Sequence, residues 1–209
     1  MAMMDSHPML AFQKEFLRWM LSDGAFALLL QGKPVPGRVS LQVDWIEITS
    51  FANTKETCMY AGGEKNTDGT LRGWADFPEQ EWLKQSLFAV KQDTRLLEKN
   101  IVDLGIDFLI QLAEKYHFSP ADIDWFLPHL SSMYFKDKIL NETRKRGFYI
   151  PEEKWFINLP IVGNIASASA FAMIEDLMHS GKLKQGQKIL IMVPESARFS
   201  YCYCMLTVC

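Results

Sequence analysis

Two short stretches carry the residues best suited to chemistry. Leu127-Pro128-His129-Leu130-Ser131-Ser132 sets an imidazole just beyond a run that reads as a strand. Leu159-Pro160-Ile161-Val162-Gly163-Asn164 sets a side-chain amide at the mouth of a helix whose first turn, Ile165-Ala166-Ser167-Ala168-Ser169, is rich in small residues. Imidazole and amide N–H groups are donors of the kind that hold a developing oxyanion, and small residues beside them let a backbone or ligand approach closely. Each residue also has an ordinary explanation, the first as a histidine that merely ends a strand and the second as a helix N-cap. The weight lies in the ordered pair: strand, Pro-His, helix, then strand, Gly-Asn, helix.

The four cysteines offer less. A nucleophilic thiolate needs a helix N-terminus or a neighbouring cation. Cys202, Cys204 and Cys209 instead fall in an apolar, strand-like end where thiols pack as small hydrophobes, and Cys58 lies in a polar loop with Glu56 nearby. None is expected to become acylated. A Cys-x-Cys pair with no second half does not make a metal site, so no metal is expected from it; no bound cofactor is expected either, and the thiols read as reduced and cytosolic. One charge cluster stands out: Lys136, Lys138, Arg144, Lys145 and Arg146 against Asp137 and Glu142, within a chain of formal net charge −3. It reads equally as a docking face for an acidic partner or as a solvated helix face.

The elements that must position these residues follow from pattern. In 209 residues, 48% apolar and 22% charged, there is enough material for a sizeable core. The acidic balance argues against a nucleic-acid-binding domain. Lys14, Glu15, Arg18 and Asp23 interrupt the apolar N-terminal region, so no membrane span or signal core is expected there. Phe16 to Leu30 predicts strand, turn, strand about Ser22-Asp23-Gly24. Val39-Leu41-Val43-Trp45 alternates with polar residues and predicts a half-buried strand running to Phe51. Asn53 to Asp76 is polar and glycine-rich, long for a simple connection. The stripe Leu83, Leu87, Val90, Leu97, Ile101, Leu104, Phe108, Leu112 predicts a long helix from Glu81 to Tyr116, with Gln92-Asp93 and Gly105 as possible breaks. Then the order alternates: strand Ile123–Leu127, helix Ser131–Arg146, strand Lys154–Leu159, helix Asn164–His179, strand Lys188–Val193, and a closing strand Phe199–Val208 apolar or thiol-bearing on both faces, hence central. This is an α/β fold with a mostly parallel sheet covered by helices.

The ordered motifs resemble the C-terminal half of the β-ketoacyl-ACP synthase III family, the thiolase-fold condensing enzymes. Trp19-Met20-Leu21-Ser22-Asp23-Gly24-Ala25 resembles the strand before that family's glycine-rich turn, Asp122-Ile123-Asp124-Trp125-Phe126-Leu127-Pro128-His129 its histidine strand, Gly163-Asn164 with the Ala/Ser helix its asparagine motif, and Gly181-Lys182-Leu183-Lys184-Gln185-Gly186-Gln187-Lys188 the turn before its closing strands. The resemblance implies residues 1–51 as terminal strands of the N-terminal thiolase half, 52–80 as a polar loop region, and 81–209 as the C-terminal half, with a mixed sheet covered by helices. It implies a decarboxylative Claisen condensation of an acyl-CoA or acyl-ACP with malonyl-ACP, His129 and Asn164 polarising the thioester carbonyl. Acyl carrier proteins are acidic, so the cluster from Lys136 to Arg146 becomes a candidate docking face. The family's nucleophilic cysteine precedes the segment matched by Trp19 to Ala25, where this chain has none. The chain is therefore expected to be inactive alone, cytoplasmic, associated through an apolar face as a homo-oligomer, and completed by an N-terminal half. The alternative is a non-catalytic subunit or carrier-protein-binding partner of the same half fold, and a related enzyme forming an ester is not separated from either. Phe26 in place of a second glycine, and Pro194-Glu195-Ser196-Ala197-Arg198-Phe199-Ser200 in place of the family's glycine-rich closing loop, point to a divergent, secondary-metabolic relative.

Overall fold

The computed structural model describes Leu17 and residues 20–209. In chain order its principal elements are β1 (Leu41–Ser50), β2 (Met59–Tyr60), β3 (Gly63–Lys65), β4 (Leu71–Gly73), α1 (Glu79–Lys84), β5 (Lys91–Gln92), α2 (Thr94–Tyr116), β6 (Trp125–Pro128), α3 (Tyr134–Lys145), α4 (Leu159–Val162), α5 (Ser169–His179), β7 (Lys188–Glu195) and β8 (Ser200–Val208). The described residues group into two compact units. One gathers Ser50–Ile101 and Glu195–Ser200, the other Leu21–Thr49, Val102–Pro194 and Tyr201–Cys209.

The second unit holds a sheet of order β1-β8-β7-β6. β6 runs parallel to β7, from Trp125 opposite Ile189 to Pro128 opposite Met192. As its two-faced apolar pattern predicts, β8 lies inside the sheet, between β1 and β7, and reciprocal main-chain hydrogen bonds join Ser40 and Cys209 beside it. Leu127, Ala170, Met173, Leu177, Ile189 and Leu206 form one buried cluster between strands and α5. Along α2, Ile106, Leu109 and Leu112 are buried. Helix and strand come unusually close at Gly105, where a Cβ would stand 2.8 Å from Cε1 of Tyr201, and the Tyr203 hydroxyl donates to the Gly105 carbonyl at 2.9 Å.

The first unit is built from short pieces. β2 pairs antiparallel with β5 and β3 with β4. Trp74, Trp82 and Phe88 meet with ring centroids 5.1 to 6.0 Å apart, and Lys65 reaches both Glu56 at 2.7 Å and Asp93 at 3.2 Å. The polar stretch from Asn53 to Asp76 therefore carries its own small strands.

Four expectations need correction. The helix predicted from Glu81 to Tyr116 does break at Gln92-Asp93, one of the two breaks allowed for, but its first part ends earlier, at Lys84. Ser86 takes a left-handed backbone (φ 51°) after α1, and Asp93 restarts the chain as α2 by accepting the Leu96 N–H at 2.9 Å. Gly105 leaves α2 unbroken. The strand predicted from Lys154 to Leu159 reduces to one parallel bridge, Phe126 with Trp155, because Pro151 opens a 3-10 turn and Pro160 starts α4. The helix predicted from Asn164 begins regularly at Ser169, after a 3-10 turn Ala166–Ala168 whose first residue has φ 51°. Of the predicted strand, turn and strand at the N-terminal end, Phe16 and Trp19 lie outside the described residues. Leu21 makes a single bridge to Asn164, and Ser22–Leu30 has no regular structure, since no described strand lies beside it to take its hydrogen bonds.

Candidate functional site

His129 is delivered by the parallel pair. Pro128 ends β6, and the His129 N–H then donates to the Met192 carbonyl at 2.7 Å, which carries the pairing one residue further and fixes where the ring emerges. The residue is 9% exposed. Burial pushes its pKa below the ordinary 6.5, so the ring is neutral at pH 7. Among the described residues no side chain or carbonyl hydrogen-bonds the imidazole, and neither ring nitrogen is both fully covered and unpartnered.

Asn164 is fixed from three directions. Its main-chain carbonyl accepts the Ser22 N–H at 2.8 Å, beside the parallel bridge to Leu21. Its Oδ1 accepts the Ala166 N–H at 3.0 Å. The next N–H, that of Ile165, is taken by Ser169 Oγ at 3.2 Å. With Oδ1 used as a local cap, Nδ2 is left as the free donor, making no hydrogen bond among the described residues. Gly163 is required just before it: φ is +81°, and a Cβ there would collide with Ser22 Oγ. Ala166 holds a left-handed conformation that costs an L-residue about 1–2 kcal/mol. Such strain persists only where the surroundings enforce it.

His129, Asn158, Leu159, Gly163 and Ser169 line one cavity of about 10 Å³, room for a single water molecule. The cavity brings His129 together with the glycine of the Gly-Asn pair, while the Asn164 side chain is not among its walls. Asn158, 6% exposed, donates from Nδ2 to Asp176 Oδ2 at 2.6 Å. Sequence reasoning passed over Asn158 and Ser22, whose partners are remote in the chain. Ser169, by contrast, sat in plain view among the small residues of the motif.

Three of the thiols, Cys58, Cys202 and Cys204, are held away from the thiolate form. Cys58 is buried with Sγ donating to the Asp93 carbonyl at 3.3 Å, and burial, reinforced by the Asp93 carboxylate, pushes its pKa to about 12. Burial also pushes Cys204 to about 12 and raises Cys202. The basic cluster is largely spent on internal pairs. Lys136 meets Glu152 at 2.7 Å, Lys145 meets Glu142 at 3.4 Å, and Arg146 meets Glu142 at 2.6 Å and Asp107 as well. Lys138 lies over the Tyr134 ring and Arg144 over that of Tyr149. Among the described residues no three His, Cys, Asp or Glu side chains converge to hold a metal ion, and no helix is long and apolar enough to cross a membrane.

Comparison with known proteins decides what this arrangement is related to. Residues 113–194 match the family described as 3-oxoacyl-(acyl-carrier-protein) synthase III C terminal. This region is similar to a synthase III C-terminal domain. A β-ketoacyl-(acyl-carrier-protein) synthase III of Coxiella burnetii is 23% identical over 172 residues, 82% of this chain and 46% of the relative. The chain thus spans about half the length of the curated relatives it matches. Among solved structures, a tetronic acid condensing enzyme aligns with TM-score 0.61 at 17% identity, covering 85% of this chain and 50% of that one. The synthase III of Thermus thermophilus aligns with TM-score 0.59 at 19% identity, covering 84% and 48%. The fold is therefore thiolase-like, an α/β mixed sheet with helices. The synthase III match takes in β6 with His129, α3 with the basic cluster, the Gly163-Asn164 motif, α5 and β7. It stops at Pro194, where the loop that departs from the family pattern begins.

Proposed function

We propose that this chain supplies the histidine and asparagine side of a synthase III-type condensing site. The observation that carries the reading is that the family match encloses both residues, with His129 neutral beside the cavity and Asn164 Nδ2 left as an uncommitted donor. In such a site a malonyl thioester, as malonyl-ACP, loses carbon dioxide, and the electrons of the broken C–C bond pass into an enolate whose oxygen takes hydrogen bonds from His129 and Asn164. The enolate carbon then attacks the carbonyl of an acyl group delivered from acyl-CoA or acyl-ACP and held as a thioester, and the C–S bond breaks to release thiolate. Cys58, Cys202 and Cys204, whose pKa values burial raises, are poor candidates for that acyl carrier sulfur, and the nucleophilic cysteine is assigned to a region equivalent to the synthase III N-terminal half. The chain alone is then inactive, needs no cofactor of its own, and works in the cytoplasm on carrier-protein substrates of fatty-acid or polyketide-type synthesis. Arg144, which lies over the Tyr149 ring, is the first choice within the basic cluster for carrier-protein docking.

A second reading, a non-catalytic partner that keeps the half fold, draws support from the small cavity and the protonated thiols. One experiment separates the two. The chain is mixed with a separately expressed synthase III N-terminal half bearing the cysteine, and condensation of acetyl-CoA with malonyl-ACP is followed. The catalytic reading expects condensation that falls at least about a hundredfold in His129→Ala and Asn164→Ala. Binding of carrier protein with no product, unchanged by either substitution, establishes the second reading instead.

A further inference from the structure

The cavity beside His129, about the size of one water, is walled in part by the turn that carries Leu159. That turn, α4 with its flanking residues, is a small self-contained body. Ile161 N–H and Val162 N–H both donate to the Asn158 carbonyl, at 2.9 and 3.0 Å, and Gly163 N–H donates to Leu159 at 2.9 Å. Its outer side meets solvent, with Ile161 90% exposed, while Leu159 forms part of the cavity wall. Its two ends differ. Beyond Gly163 the chain is pinned, through the Asn164 carbonyl to Ser22 and through Ile165 N–H to Ser169. Gly163 itself, at φ +81° and ψ −179°, is the residue with the widest backbone freedom between the turn and those pins. At the other end the side-chain tie is the Asn158–Asp176 hydrogen bond, from a nearly buried amide to an exposed residue on the regular helix α5.

We propose that the Leu159–Val162 turn is a latched lid over the His129 cavity, with the Asn158–Asp176 pair as its latch and Gly163 as its hinge. Releasing the latch lets the turn swing as a unit, because its own hydrogen bonds are internal and move with it, while Asn164 stays where Ser22 and Ser169 hold it. The lid controls access without displacing the donor. From the preceding reading the proposal takes only the need for a thioester to reach His129, and its test involves no turnover.

The experiment measures ethoxycarbonylation of each histidine by diethyl pyrocarbonate in the intact chain, mapped by peptide mass spectrometry, with the exposed His117 and His179 as internal references. Amide hydrogen exchange at Ile161–Gly163 and at Leu190–Ile191 in β7 is followed in parallel. Asp176→Ala is expected to raise the rate at His129 about tenfold relative to the references, the effect of losing one charge-assisted hydrogen bond. Exchange at Ile161–Gly163 should quicken while Leu190 and Ile191 hold their rates. Asp176→Asn keeps an acceptor for Asn158 Nδ2 and should stay within about twofold of the native rate. An unchanged His129 rate in Asp176→Ala, an Asp176→Asn variant as fast as Asp176→Ala, or β7 amides that loosen together with the turn would each overturn the lid.

Discussion

At His129 the governing quantity is how little water reaches the ring. A ring buried without a carboxylate beside it protonates below the ordinary value, so the unfolded chain takes up its proton first as the pH falls through about 6.5. Stability should then drop with falling pH across that window, and His129→Gln should flatten that part of the dependence. Proton NMR titration of the His129 ring checks the premise directly, with a midpoint below the ordinary 6.5 expected. The thiols carry the opposite sign. Cys58 and Cys204 keep their protons to about pH 12, whereas unfolded thiols ionise near 8.5, so stability should fall as the pH rises past that value. In the native chain at pH 8 a disulfide reagent should leave Cys58 unmodified, and intact mass after incubation with acyl-CoA should show no acyl adduct. His129 stands out in the sequence because its residue type coincides with the end of a strand that forms as predicted, whereas the strand expected before Gly163-Asn164 does not form. Asn158 and Ser22 were not legible, because each matters through a partner that only the folded chain brings near.

Elements were legible where one periodicity governed a whole segment. Leu41–Ser50, Lys188–Glu195 and Ser200–Val208 formed as their patterns predict. Pattern failed where a local backbone choice interrupted an apolar stripe that continues through it: Leu83, Leu87 and Val90 keep helical spacing across Ser86, yet its left-handed φ ends α1. The close crossing of α2 and β8 at Gly105 was also hidden, since a glycine in a helix reads as a break until the tyrosine facing it is known. Gly105→Ala gains helix propensity but drives a methyl into the Tyr201 ring. Overpacking of this kind costs about 1–3 kcal/mol, so a net loss of stability is expected, read as a lower urea midpoint with unchanged slope. A variant as stable as the native chain would mean that the ring can slide aside.

For the chain as a whole the notable surface is apolar. Leu28, Leu29 and Leu30 are exposed, Leu29 to 82%, and Ile46 and Ile48 on β1 are exposed as well. An exposed edge strand and an exposed run of leucines each invite another polypeptide. Light scattering should show mass rising with protein concentration, and Leu29→Glu with Ile48→Lys should hold the chain closer to a monomer. A native chain monomeric at high concentration would count against the assembly proposed above. The placement of β8 also bears on the order in which the protein can be made. Its sheet joins residues near position 45 to residues beyond 200, and the strand between β1 and β7 leaves the ribosome after the other three strands of that sheet. Until then β1 has no neighbour in the sheet and the apolar face of α2 lies open, a long-range closure of the kind that folds slowly and exposes surface while it waits. A nascent chain stalled before Ser200 should therefore remain protease-sensitive from β1 through β7, becoming resistant only once β8 is released.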